Sequence, residues 1–194
     1  MLNSALFAKQ LDFSRMILVG HSKEAAGATQ AGRLISGFGH QFTSLSYALI
    51  APEQGGGSAS DLRNLLVLGS GRDTEEFADP QRPFDAGGIP KMLVMIPGAN
   101  HLGYTDICPA DNTCGRAGIR DPDGAILRAD QQRVGAEYLA ALVRFYALDE
   151  TKLVSFLNGS AIPDDVTSLN LQVQSQGIIV LPDPQFTRTP VVKP

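Results

Sequence analysis

The 194-residue sequence has no tryptophan, three histidines and two cysteines. It contains no C-x-x-C pair and no Cys/His grouping, so a zinc site has no ligand set at a usual spacing. There is no cluster of lysine or arginine, and the formal net charge is −4. That balance argues against nucleic acid or an anionic lipid surface as the main partner. The longest apolar runs are strand-sized, so no segment is expected to span a membrane. The opening MLNSALFAKQLDFSR lacks the continuous apolar stretch of a signal peptide. No G-x-G-x-x-G follows a strand-like run, which leaves a flavodoxin- or Rossmann-like binding domain weakly supported. Neither a cofactor nor a metal is expected.

What is present suits one globular domain. Apolar residues make up 43% and charged residues 19%, enough to bury a core. The 20 glycines and 12 prolines fit a loop-rich α/β chain. The two cysteines, Cys108 and Cys114, stand close together in DICPADNTC. They permit a small disulfide loop, which would imply an oxidising compartment. Two free thiols on a loop are the alternative.

Residues 4–11 have the pattern of a helix end. Arg15–Gly20 is a short apolar run ending in glycine, as in a strand buried on both faces. Residues 24–36 follow at helical spacing, with Ala25, Ala26, Ala28 and Ala31 small enough for close packing on a sheet, and Gly37-Phe38-Gly39 stops them. Leu45–Ala51, Leu65–Leu68 and Lys91–Ile96 are three further strand candidates, each closed by a loop rich in glycine or proline. Residues 126–147 form the strongest helix, with Leu139, Leu142, Val143 and Tyr146 as its apolar stripe. Apolar strands separated by crossovers imply a mainly parallel sheet flanked by helices, an α/β fold. The sequence divides into a domain over 1–159 and an extended or β-rich tail over 160–194.

Three strand ends carry chemistry. Ser22 follows Val19-Gly20-His21, where a strand runs straight into a helix. A serine at so sharp a turn has its hydroxyl lifted above the sheet edge, and the next amide, that of Lys23, faces the space where an oxyanion would form. Asp73 follows the third strand in Gly69-Ser70-Gly71-Arg72-Asp73, and His101 follows the fourth in Gly98-Ala99-Asn100-His101. In an open parallel sheet these three positions converge on one edge. Plainer explanations exist for Ser22 as a helix N-cap, for Asp73 as a turn residue, and for Lys23 with Glu24 as a solvated pair. Asp61 and Asp79 compete less well with Asp73 because neither directly follows a buried strand. His40 reads as solvated and His21 as packing beside the turn. Glu53 reads as a loop carboxylate, and Asn100, Tyr104 and Asp106 as loop or pocket residues around His101.

The order Ser, Asp, His is that of the α/β-hydrolase triad, and residues 12–150 resemble the C-terminal half of that superfamily, of the serine esterase or lipase type that includes dienelactone-hydrolase-like and cutinase-like enzymes. Asp12–Ser22 resembles the run into the nucleophile elbow, Lys91–His101 the approach to the catalytic histidine, and Gln131-Gln132-Arg133 the start of the final helix. The family's G-x-S-x-G has a small residue two after the serine, where this chain has Glu24. The resemblance implies Ser22 as nucleophile, His101 as general base, Asp73 as the acid that orients it, and the Lys23 amide as one oxyanion-hole donor. It implies hydrolysis of a small-molecule or lipid carboxylic ester through an acyl-enzyme. It also implies a partial fold, a fragment of a longer enzyme, since the strands that precede the nucleophile, and the second oxyanion donor they carry, are absent. A non-catalytic, truncated hydrolase-like domain with a binding or assembly role is the alternative. The nucleophile strand is then expected at an open sheet edge, where its apolar run invites self-association.

Overall fold

A computed structural model describes residues 14–39, 42–53, 61–73, 78–108, 110 and 125–178. The helix expected over 4–11 lies outside them, as do His40, Cys114 and residues 179–194.

Among the described residues, five strands form one sheet in the order of the chain: β1 (Arg15–His21), β2 (Ser44–Ile50), β3 (Leu65–Ser70), β4 (Lys91–Ile96) and β5 (Gln172–Gln176). The first four are parallel and β5 is antiparallel to β4. The helices are α1 (Glu24–Gly37), α2 (Gln81–Ala86), α3 (Arg128–Tyr146) and α4 (Val154–Leu157). The chain is therefore an α/β domain with a mostly parallel sheet, as the apolar runs imply. Among the described residues no helix is long and apolar enough to cross a membrane.

Alternation along the central strands builds two cores. Tyr47, Leu49, Leu65, Val67 and Leu93 meet Ala25 of α1 and Phe84 of α2 on one face. Ala48, Leu66, Leu68, Met92, Val94 and Ile96 meet Val134, Tyr138 and Leu142 of α3 on the other. Every residue of β3 is buried, so its side chains serve both layers. Close approach of α1 relies on Gly32, where a Cβ would stand 2.1 Å from the Tyr47 hydroxyl oxygen. The buried face of α1 is Ala25, Thr29 and Gly32.

Three expectations change. β1 is not buried on both faces: among the described residues it is the edge strand that the resemblance implies, all but one of its residues are partly or fully exposed, and Val19 is 53% exposed. A run of apolar residues alone cannot separate a central from an edge strand. The inward stripe of α3 is Gln131, Val134, Gly135, Tyr138, Ala141 and Leu142, while Val143 faces solvent. Leu142 is buried as expected, and Leu139 and Tyr146 pack against the same core while partly exposed. Residues 160–178, expected as part of a separate tail, lie on the same core: Val166 and Leu171 are buried in it, and β5 pairs with β4. β5 gives the expected β character of this region, with only Val173 and Ser175 of QVQSQ partly buried.

Candidate active site

Four parallel strands deliver their carboxyl ends to one edge, where sites of open α/β sheets form. β1 ends at His21, paired with Ile50 of β2, and the Ser22 amide donates to the Ile50 carbonyl at 2.9 Å. Ser22 then turns with φ 59°, in the left-handed region. A β-carbon there costs about 1–3 kcal/mol, which the surrounding structure must offset. α1 starts two residues later. The turn is so tight that a Cβ at Gly20 would lie 2.2 Å from the Glu24 carbonyl oxygen. Glu24, at the position where the family has a small residue, is exposed in the first turn of α1. The crowding is carried by Gly20 instead. Lys23 has αR backbone geometry at the helix start, and its side chain makes no capping bond.

The expected residues are brought together. His101 Nε2 lies 2.8 Å from Ser22 Oγ, and His101 Nδ1 lies 2.8 Å from Asp73 Oδ2. The Asp73 and His101 side chains are only 5% and 8% exposed. A carboxylate only accepts, so the Nδ1 proton is donated to Asp73 and Nε2 is left facing the serine. Asp61 is elsewhere, paired with Arg33 at 2.7 Å on the surface, and Asp79 accepts from the Arg82 amide at the start of α2. Neither approaches His101.

The loop that carries His101 is held from several sides. Gln131, fully buried on α3, accepts from the Asn100 amide at 3.1 Å and donates to the Asn100 carbonyl at 2.7 Å. Ser70 Oγ donates to the same carbonyl at 3.1 Å, and Asn100 Oδ1 accepts from the Gly103 amide at 2.8 Å. His21 donates through Nε2 to the His101 carbonyl at 2.8 Å, and its ring lies 5.0 Å from that of His101. Tyr104 packs edge-on to His21, and burial pushes its phenol above the ordinary range, so it stays neutral. Gly71 closes the other wall, where a Cβ would come within 2.7 Å of the Pro97 backbone. Cys108 is disulfide-bonded on the loop after Tyr104.

Two residues escaped the sequence. Gln131 entered the sequence reading only as part of Gln131-Gln132-Arg133 at the start of the last long helix, with no role at the His101 loop. Glu53 looked like a loop carboxylate, yet its Oε1 lies 2.9 Å from Ser22 Oγ. Among the described residues no group of His, Cys, Asp and Glu is arranged to hold a metal ion.

No family model matches the chain, and no curated protein matches it. Among solved structures it is similar to a ferulic acid esterase from Streptomyces cinnamoneus, with a TM-score of 0.48 and 18% identity, over 84% of this chain and 47% of the esterase. The chain thus spans about half the length of that protein.

Proposed function

We propose that this chain carries the catalytic residues of a serine hydrolase acting on carboxylic esters. The observation that supports it most is the continuous hydrogen-bond series Ser22–His101–Asp73, begun at a left-handed serine between a strand and a helix. In this reading Ser22 Oγ attacks the ester carbonyl while His101 Nε2 takes the hydroxyl proton. The Lys23 amide donates to the oxyanion of the tetrahedral intermediate. Collapse expels the alcohol, which receives the proton from His101, and water then cleaves the acyl-Ser22 by the same route. Asp73 fixes the tautomer of His101 and stabilises the imidazolium. A small-molecule or lipid ester is the substrate class.

The test is turnover of short-chain nitrophenyl esters, together with mass-spectrometric mapping of a diisopropylphosphoryl serine after treatment with diisopropyl fluorophosphate. Adduct on Ser22, lost together with ester turnover in Ser22→Ala, is the expected result. A folded protein that acquires no adduct at Ser22 would overturn the assignment.

A further inference from the structure

Ser22 Oγ stands between two possible proton acceptors, His101 Nε2 at 2.8 Å and Glu53 Oε1 at 2.9 Å. A hydroxyl has one proton and donates to one acceptor at a time, and an ionised carboxylate only accepts. With Glu53 ionised and both contacts made, the hydroxyl proton goes to Glu53. Nε2 must then carry its own proton to donate to Oγ. Since Nδ1–H is engaged by Asp73, His101 is an imidazolium in that arrangement. With Glu53 protonated, its O–H donates to Oγ and the hydroxyl proton points at a neutral Nε2. The two arrangements hold the same number of protons and the same net charge. They interconvert as one proton passes from Nε2 to Oγ while the hydroxyl proton passes from Oγ to Oε1. Only the second leaves Nε2 with a lone pair aimed at the hydroxyl, the condition for general-base attack. If the site loses one further proton, the hydroxyl faces two acceptors, and the charge-assisted bond to the carboxylate is the stronger.

We propose that Glu53 is a positioning residue that competes with His101 for the Ser22 hydroxyl proton, so that serine reactivity is set by a four-group network and not by the triad alone. The proposal rests on the reading of Ser22 as nucleophile. Glu53 is held in place by its bridge to Ala78, three residues beyond β2. Among the described residues, the titratable and charged groups on the segments that meet there are His21, Lys23 and Glu24 around Ser22, Arg72 and Asp73 after β3, Asp79 beside the bridge, and His101 after β4. All of these are shared by wild type and a Glu53 variant, so the comparison isolates the carboxylate.

The experiment measures the rate of phosphorylation by diisopropyl fluorophosphate against pH for wild type, Glu53→Gln and Glu53→Ala. In this reaction the Ser22 Oγ–P bond forms, the P–F bond breaks with release of fluoride, and His101 takes the hydroxyl proton. Glutamine can donate an amide N–H to Oγ and leave the hydroxyl proton to Nε2, while alanine removes the competitor. Both variants should react about tenfold faster than wild type near neutral pH, the factor expected when a charge-assisted competing bond is lost. Their acid limb should move to lower pH, because a carboxylate near His101 favours the imidazolium and its removal does not. Unchanged or slower reaction with an unmoved acid limb in both variants would overturn the role of Glu53 and leave the nucleophile assignment intact. Absence of adduct at Ser22 in all three proteins, each shown to melt cooperatively, would overturn the nucleophile assignment and this inference with it.

Discussion

The two ends of the parallel sheet handle polar groups in opposite ways. At the carboxyl end, Glu53, Ser22, His101 and Asp73 are linked one to the next, the imidazole and the aspartate almost wholly buried. Ser22 and Ala51 there hold left-handed backbone, with φ 59° and 41°. At the amino end, Arg33 and Asp61 form a two-bonded pair in the open, beside a cavity of about 530 Å³ that also touches the start of β2. Buried polar groups must find each other because unpaired burial is costly, and a chain of them responds as a unit. Exposed ions are screened by water and act nearly alone. A linked and mostly buried series of side chains stands at one end, and a solvated ion pair at the other.

That contrast can be tested by substitution. The largest effect is expected from Asp73→Asn, which keeps the shape but lets His101 take the wrong tautomer. Phosphorylation of Ser22 by diisopropyl fluorophosphate should slow by about 10⁴-fold, with the melting temperature far less affected. A loss of reactivity below tenfold in stopped-flow labelling would show that Asp73 does not orient His101. Next is Gly20→Ala. Its added methyl meets backbone at the start of α1 and not a movable side chain, so urea denaturation should show a loss of at least about 1–3 kcal/mol. Full stability in that variant would mean the turn at Ser22 is looser than described.

The smallest effect should come from the amino end. The Arg33 guanidinium, by hydrogen bonding, holds the Asp61 carboxyl below its ordinary range. The ionised form is thus favoured on folding, and the stability it adds is present above the ordinary carboxylate pKa and lost as pH falls through the lowered value. Because Asp61 is 53% exposed, Asp61→Asn should cost less than about 1 kcal/mol at neutral pH. The gap between variant and wild type should close in acid. A larger gap, or one that persists at low pH, would show that the amino end is coupled as tightly as the other.

Legibility in the sequence followed the same division. Ser22, Asp73 and His101 could be picked out because each ends an apolar run, and parallel strands must then present their ends together. Glu53 could not, because its meeting with Ser22 depends on the register that sets His21 opposite Ile50. That register places the residues just past β2 beside the turn after β1. Gln131 was hidden for a related reason: its two bonds go to the backbone of a single residue on a distant loop, and no local pattern marks such a contact. β1 shows the converse. Its apolar run reads as a buried strand, yet it lies at the sheet edge among the described residues, since composition says nothing about how many neighbours a strand receives.

The sequence by itself determined the α/β alternation, the four parallel strands and the order of the three polar residues at their ends, because burial periodicity and glycine stops act over a few residues at a time. Tertiary structure alone decided which residues of α3 met the core, that a polar segment would pair with β4 as β5, and that Glu53 would reach Ser22. Each of those depends on distances between segments far apart in the chain, which strand register and helix packing fix only when the whole sheet has closed on its two cores.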